Sequence, residues 1–163
     1  MKKCIFAVAA VFLHMVFTAC TNSPGTSGLL NGYYTAEMEE FDSYGWKEYI
    51  AIYVNNGRIV TVEYNAKNAS GFIKSWDSDY MRLMNITDGT YPNEYTRNYA
   101  TALLQLQKTG GIDVLSGATN SYHTFILLAN AVLEQARSGT RQIAFVPVPP
   151  DPHDRTGESS GTP

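Results

Sequence analysis

The clearest pattern in the chain runs from Lys47 to Tyr64. Ile50, Ile52 and Val54 alternate with Tyr49, Ala51 and Tyr53. After Asn55-Asn56-Gly57, a second alternation sets Ile59, Thr61 and Glu63 against Val60, Val62 and Tyr64. Period two on both sides of an Asn-Gly pair predicts a tight antiparallel hairpin, because these residues accept the positive φ that such turns require. Gly32 to Glu37 reads as a shorter strand before it. The period then lengthens. Asp79 to Asn85 is a candidate short helix. From Pro92, the residues Tyr95, Tyr99, Ala102, Leu103 and Leu106 fall on one face of a longer helix, which Gly110-Gly111 is expected to end. A last helix from Thr119 to about Arg137 carries Tyr122, Ile126, Ala129, Val132, Leu133 and Ala136 as its apolar stripe and stops at Gly139. Strands first and helices later predict an α+β fold: a single domain with a small antiparallel sheet and helices packed on it.

The two ends follow other patterns. Met1-Lys2-Lys3 precedes an apolar run from Cys4 to Cys20 broken only by His14 and Thr18. That is the form of a secretory signal, and it is shorter than the roughly 20 apolar residues of a membrane-spanning helix. Phe17-Thr18-Ala19-Cys20, followed by polar residues, resembles a bacterial lipoprotein processing site, with Phe17 in place of the usual Leu. Residues 1–19 are then the lipoprotein signal peptide, Cys20 the lipidated first residue, and 20–28 a flexible tether. Acyl chains on Cys20 would hold the protein to the lipid bilayer, at about 0.8 kcal/mol for each buried CH₂. At the other end, five of the seven prolines lie between Pro147 and Pro163. Residues 139–163 therefore read as a Pro-rich tail expected to stay unpacked, although 141–146 has the composition to add one strand. The folded domain is expected over 29–138, long enough to stand without disulfides.

Composition narrows the chemistry. With 44% hydrophobic and 17% charged residues the chain is not wholly disordered. Its net charge of −3 becomes −5 once Lys2 and Lys3 leave with the signal, so no basic surface points to nucleic acid. Two cysteines, Cys4 and Cys20, exclude a disulfide framework and a cysteine zinc site. Residues 29–138 hold one histidine, His123, and Glu37, Glu39, Glu40 and Asp42 read as a solvated face, so no metal site is expected. Neither an acid–base pair nor a nucleophilic triad is visible.

The segment that carries chemistry is Asp113-Val114-Leu115-Ser116-Gly117-Ala118-Thr119-Asn120-Ser121, which opens the last helix. Small residues allow close backbone approach, and a helix start offers unpaired N–H donors and partial positive charge, a combination that suits phosphate. Thr119 and Ser121 add hydroxyls there. The residues alone leave a second reading open, in which Thr119 or Ser116 only caps the helix. No Gly-Lys-Ser/Thr follows, so this is not a Walker loop, and one glycine between Asp113 and Arg137 is not a dinucleotide fingerprint.

Asp113, Ser116, Gly117, Ala118 and Thr119, read as Asp-x-x-Ser-Gly-Ala-Thr, resemble the covalent flavinylation motif of the FMN-binding domain family. That family includes flavin subunits of Rnf-type and Na⁺-translocating NADH:quinone reductases and single-domain spirochaetal surface lipoproteins. All five positions match, a coincidence expected in about one chain in a few thousand of this length. The similarity extends over most of 30–138, through the Gly32-Tyr33-Tyr34 opening, Gly45-Trp46, and Lys74-Ser75 before Asp79-Tyr80. The resemblance implies FMN bound covalently to Thr119 by a phosphoester, attached by a separate FAD:protein FMN transferase that releases AMP. It gives Asp113 two possible parts, aiding the transferase or bonding the turn backbone. His123, one helical turn after Thr119, would either touch the phosphate or be an ordinary histidine. Lys74 and Ser75 are candidates to contact the ring or the phosphate, and Tyr80, Trp76, Trp46 and Tyr122 to stack on the ring. The expected function is a membrane-anchored, extracytoplasmic electron carrier between a membrane redox partner and an external acceptor. The alternatives are a surface flavin reductase with its own small-molecule acceptor and a non-redox surface lipoprotein or binding module.

Overall fold

The structure, a computed structural model, describes residues 28–147. The signal peptide, Cys20, most of the tether and the end of the Pro-rich tail lie outside the described residues.

Four strands, β1 (Gly32–Met38), β2 (Lys47–Asn55), β3 (Arg58–Lys67) and β4 (Ala144–Val146), form one sheet in the order β3-β2-β1-β4. The hairpin closes at Asn56 (φ 50°) and Gly57 (φ 70°), the positive pair that an Asn-Gly turn supplies. β1 and β2 run antiparallel, whereas β4 lies parallel to β1, with Glu37 opposite Phe145. The sheet is therefore mixed within an α+β fold, and the segment 141–146 does contribute its strand. Packed chain thus continues past position 138.

The inward positions of β2 are Glu48, Ile50, Ile52 and Val54. On β3 the simple alternation breaks. Val54 pairs with Ile59 but Tyr53 pairs with Thr61, so Val60 is an extra residue, bulged and exposed. The bulge reverses the phase, letting Ile59 face inward at one end of the strand and Tyr64 and Ala66 at the other.

Three helices follow: α1 (Ser78–Asp88), α2 (Pro92–Leu106) and α3 (Thr119–Ser138). α2 packs on β3 and α3 crosses β1 and β2. Tyr95, Tyr99 and Leu103 of α2 and Phe125, Leu128, Val132 and Leu133 of α3 enclose the core with Tyr34, Ile50, Ile52, Val54 and Tyr64. Each large apolar side chain fully buried there contributes about 1.5–3 kcal/mol. The buried stripe of α3 is centred on Phe125 and Leu128, with Tyr122 and Ile126 at its margin. α2 stops earlier than Gly110-Gly111. Gln107 takes φ 60°, and its side-chain amide replaces a strand partner for Ile59, accepting from the Ile59 N–H at 2.8 Å and donating to the Ile59 carbonyl at 3.0 Å. Two hydrogen bonds to the edge strand offset the left-handed backbone. α1 is capped by Asp77 and Gly89 but buries none of its residues.

α3 also sets the two poles of the domain. The chain enters beside its last turn, where Leu30 N–H donates to the Ala136 carbonyl at 2.8 Å. Thr119 opens the helix at the far end, about 25 Å away at 1.5 Å per residue.

Candidate functional site

Tyrosine hydroxyls hold the segment that leads into α3. Tyr99 accepts from the Leu115 N–H at 3.1 Å and donates to the Ala118 carbonyl at 3.3 Å. Tyr122 donates to the Ile112 carbonyl at 3.0 Å, and the Tyr64 hydroxyl lies 2.9 Å from the Ser121 carbonyl. The high tyrosine content thus has a local use: rings pack in the core while their polar tips fix a loop backbone.

Within that segment Ala118 N–H closes a turn on the Leu115 carbonyl at 3.0 Å, and Gly117 takes φ +80°. A Cβ at Gly117 would lie 2.2 Å from the Asp88 carbonyl oxygen, at the end of α1. Both conformation and space demand glycine there. Ala118 is buried at 2% exposure, where a larger side chain would not fit the core contact it makes. Two of the five motif positions are therefore explained by packing alone.

Asp113, Ser116 and Thr119 are exposed. Ala118 is the N-cap of α3, and no side chain caps the helix, so neither Ser116 nor Thr119 serves the capping role that their residue types allow. The first helical hydrogen bond is Tyr122 N–H to the Ala118 carbonyl at 2.9 Å. The N–H groups of Thr119, Asn120 and Ser121 have no acceptor among the described residues, and no acidic residue occupies the first turn. Asp113 forms no bond to the turn backbone among the described residues. His123 is exposed, its ring set edge-on to Tyr122 at 5.5 Å.

Ser121 connects this surface to a buried polar cluster that sequence reasoning missed. Its Oγ donates to Glu48 Oε1 at 3.1 Å, and the Tyr64 hydroxyl lies 2.7 Å from Glu48 Oε2. Tyr64 has one proton and two acceptors within reach, Glu48 Oε2 and the Ser121 carbonyl. Its hydroxyl donates to Glu48 at the shorter distance and is shared with the carbonyl. Burial pushes the Glu48 carboxyl up, against the pull of Lys74 and of its two hydroxyl donors. Burial likewise raises Tyr64 well above the ordinary phenol range, so that hydroxyl stays protonated. The signal for Glu48 was present in the sequence: it keeps step with Ile50, Ile52 and Val54 on the inward face of β2.

A carboxyl raised by folding stabilises the fold fully below its unfolded pKa and loses that contribution as pH rises through the folded value. Glu48→Gln keeps an uncharged group of the same shape. The wild-type melting temperature is therefore expected to fall, relative to the variant, as pH rises above about 4.5. Parallel melting curves for the two proteins from pH 4 to 8 would refute the assignment.

Lys74, in the single 3-10 turn Lys74–Trp76, and Ser75 are both buried, the latter with its Oγ 2.8 Å from Asn65 Nδ2. Of the aromatic candidates, Trp46 is buried and meets Tyr80 edge-on at 6.0 Å, Tyr122 is half-buried, and Trp76 stands 69% exposed against Phe72. Among the described residues no three His, Cys, Asp or Glu side chains gather as metal ligands, and no helix is long and apolar enough to cross a membrane.

No family model matches the chain. It is 35% identical over 133 residues to the "15 kDa lipoprotein" of Treponema pallidum (strain Nichols), spanning 82% of this chain and 92% of that protein. The chain belongs to the family of this lipoprotein. The crystal structure of the CPE2226 protein from Clostridium perfringens is similar to the fold, with a TM-score of 0.71 and 34% identity over 74% of this chain and 99% of that one. The CPE2226 chain thus consists almost wholly of the region that matches this domain.

Proposed function

We propose that the protein is a lipid-anchored, extracytoplasmic flavoprotein that carries FMN on Thr119 through a phosphoester and relays electrons between a membrane dehydrogenase and an external acceptor. Kinship with a bacterial lipoprotein supports the anchor. The observation that carries the flavin reading is Thr119: an exposed hydroxyl at the first position of an uncapped helix, presented by a turn that only Gly117 accommodates.

FMN, when bound, supplies the reversible uptake of electrons. The chain does the rest. Thr119 provides the oxygen of attachment. The free N–H groups of the first turn, with the positive end of α3, receive the phosphate charge. No side chain accepts a hydrogen bond from the Thr119 hydroxyl among the described residues, so activation of this weak nucleophile falls to the transferase. There the Thr119 Oγ–phosphorus bond forms as the pyrophosphate of FAD breaks, AMP leaves, and the hydroxyl proton passes to the enzyme. Covalent attachment suits a compartment in which a dissociated flavin would be lost by dilution.

Intact mass and in-gel flavin fluorescence of the mature protein, made with and without an FAD:protein FMN transferase, test this. An FMN-sized gain that requires the transferase and maps to Thr119 supports the carrier. No gain, under conditions that modify a known substrate, leaves a lipoprotein without flavin, the second reading that the kinship favours. Cys20→Ser should move the protein out of the membrane fraction; unchanged membrane association would discard the lipid anchor.

A further inference from the structure

α2 and α3 cover the inward face of the sheet. On its outward face the strand register sets Tyr33 beside Tyr53, and Thr35 beside Ala51. Phe145 of β4 stands beside Glu37 on the same face. Tyr33 and Tyr53 stack with their ring centres 4.4 Å apart, Tyr33 is 72% exposed, and Phe145 is 59% exposed. The small side chains of Thr35 and Ala51 leave a shallow floor between these aromatics. Glu37 and Lys67 answer each other's charge at 2.7 Å. The tyrosines here differ from those that hold the loop before α3. The hydroxyls of Tyr64, Tyr99 and Tyr122 are all bonded, whereas those of Tyr33, Tyr49 and Tyr53 have no partner among the described residues. Exposed rings with unused donors fit a ligand that is apolar and rich in acceptors.

The chain carries such a segment beside this face. Pro147-Val148-Pro149-Pro150-Asp151-Pro152 follows β4, and residues 148–163 lie outside the described residues. Proline-rich sequence favours polyproline II, which has apolar rings outside and no internal hydrogen bonds, so its backbone carbonyls are free to accept. The Glu39 N–H still reaches the Val146 carbonyl at 2.7 Å. Beyond that bond, the prolines at 147, 149, 150 and 152 have no N–H with which to lengthen β4 or add a strand outside it. The face of the sheet, rather than its edge, is what this segment can take. Its length is sufficient. From Met38, the partner of Val146, back to Tyr33 is about 17 Å along β1. Residues 147–152 reach about 19 Å as polyproline II. A composition that builds no core of its own can still lie on a sheet that has one.

We infer that the outward face of the sheet is a docking surface for the chain's own Pro-rich segment. Residues 147–152 turn back from β4 and lie along the sheet, with proline rings against Tyr33, Tyr53 and Phe145 and backbone carbonyls accepting from the tyrosine hydroxyls. This is the aromatic-groove mode of proline recognition, used within one chain. It does not depend on the flavin reading. A segment tied to the surface it binds needs little intrinsic affinity, because a short connection holds it at a high effective concentration. Docking straps down β4, which is only three residues long.

The test is tyrosine nitration, mapped by mass, on the mature chain of residues 20–163 with Cys20→Ser to free it from the membrane. Two further forms are compared with it: the full chain carrying Pro149→Asp and Pro150→Asp, and a chain that ends at Pro147. Exposed Tyr44 is the internal reference, and buried Tyr34 and Tyr64 report the state of the fold. Tyr33 and Tyr53 should react about fivefold faster, relative to Tyr44, in both altered forms, while Tyr34 and Tyr64 stay unreactive. Equal rates in all three chains overturn the inference. Protection in the full chain that fades on dilution gives the face to a second copy and overturns it as well. Acceleration that reaches Tyr34 and Tyr64 equally in both altered forms reports loss of the fold rather than release of the tail, and does the same.

Discussion

Thr119→Ala is expected to abolish covalent flavin completely and leave the melting temperature of the domain almost unchanged. The hydroxyl is the only atom group removed that could carry the phosphoester, and it makes no hydrogen bond within the described residues. Alanine is also a better helix former than threonine, so the exposed first position of α3 should shift stability by no more than about 0.5 kcal/mol. Thr119→Ser retains an oxygen in nearly the same place and should accept flavin, if less fully. Mass spectrometry after exposure to the transferase distinguishes the three proteins. Flavin still attached to Thr119→Ala, for instance on Ser116 or Ser121, would remove Thr119 from the site.

Gly117→Ala should give the opposite signature. A left-handed backbone costs a non-glycine residue about 1–2 kcal/mol. The added Cβ would stand 2.2 Å from the Asp88 carbonyl oxygen and 3.0 Å from Thr90 Cγ2, so the end of α1 and the turn must separate. Overpacking of that kind costs about 1–3 kcal/mol. Together these predict a loss of roughly 2–5 kcal/mol, or about 10–20 °C in melting temperature for a domain of this size. A variant melting within 2 °C of wild type would show that the turn yields easily, and the account of why glycine stands there would fail. The pair separates the two roles combined in one seven-residue segment: Gly117 and Ala118 build the turn, while Thr119 is held out from it.

What could be read from the sequence was local. The Asn56-Gly57 turn and the ends of α3 depend on neighbouring residues and appear where residue types alone place them, and the strand expected within 141–146 forms over Ala144–Val146. What escaped depends on contacts far along the chain. Gln107 ends α2 because Ile59, 48 residues earlier, offers both backbone groups of an edge strand. The bulge at Val60 was hinted at by a phase that suits Ile59 or Tyr64 but not both, and only pairing with β2 resolves it. Phe125 and Leu128 outrank Tyr122 and Ile126 because the sheet chooses which flank of α3 it covers. The site divides in the same way. The motif residues were visible as a string, but Glu48, 73 residues before Ser121, could join them only through the fold. Its position in an otherwise apolar register was the one available clue.

The placement of Leu30 against Ala136 has a mechanical consequence. If the acylated Cys20 is held in the bilayer, the nine residues 20–28 can span at most about 30 Å. α3 then adds roughly 25 Å before Thr119 is reached. Thr119 would then stand at the end of the domain away from the anchor rather than beside it. On the proposed reading, a cofactor on Thr119 would be presented to partners well clear of the lipid surface.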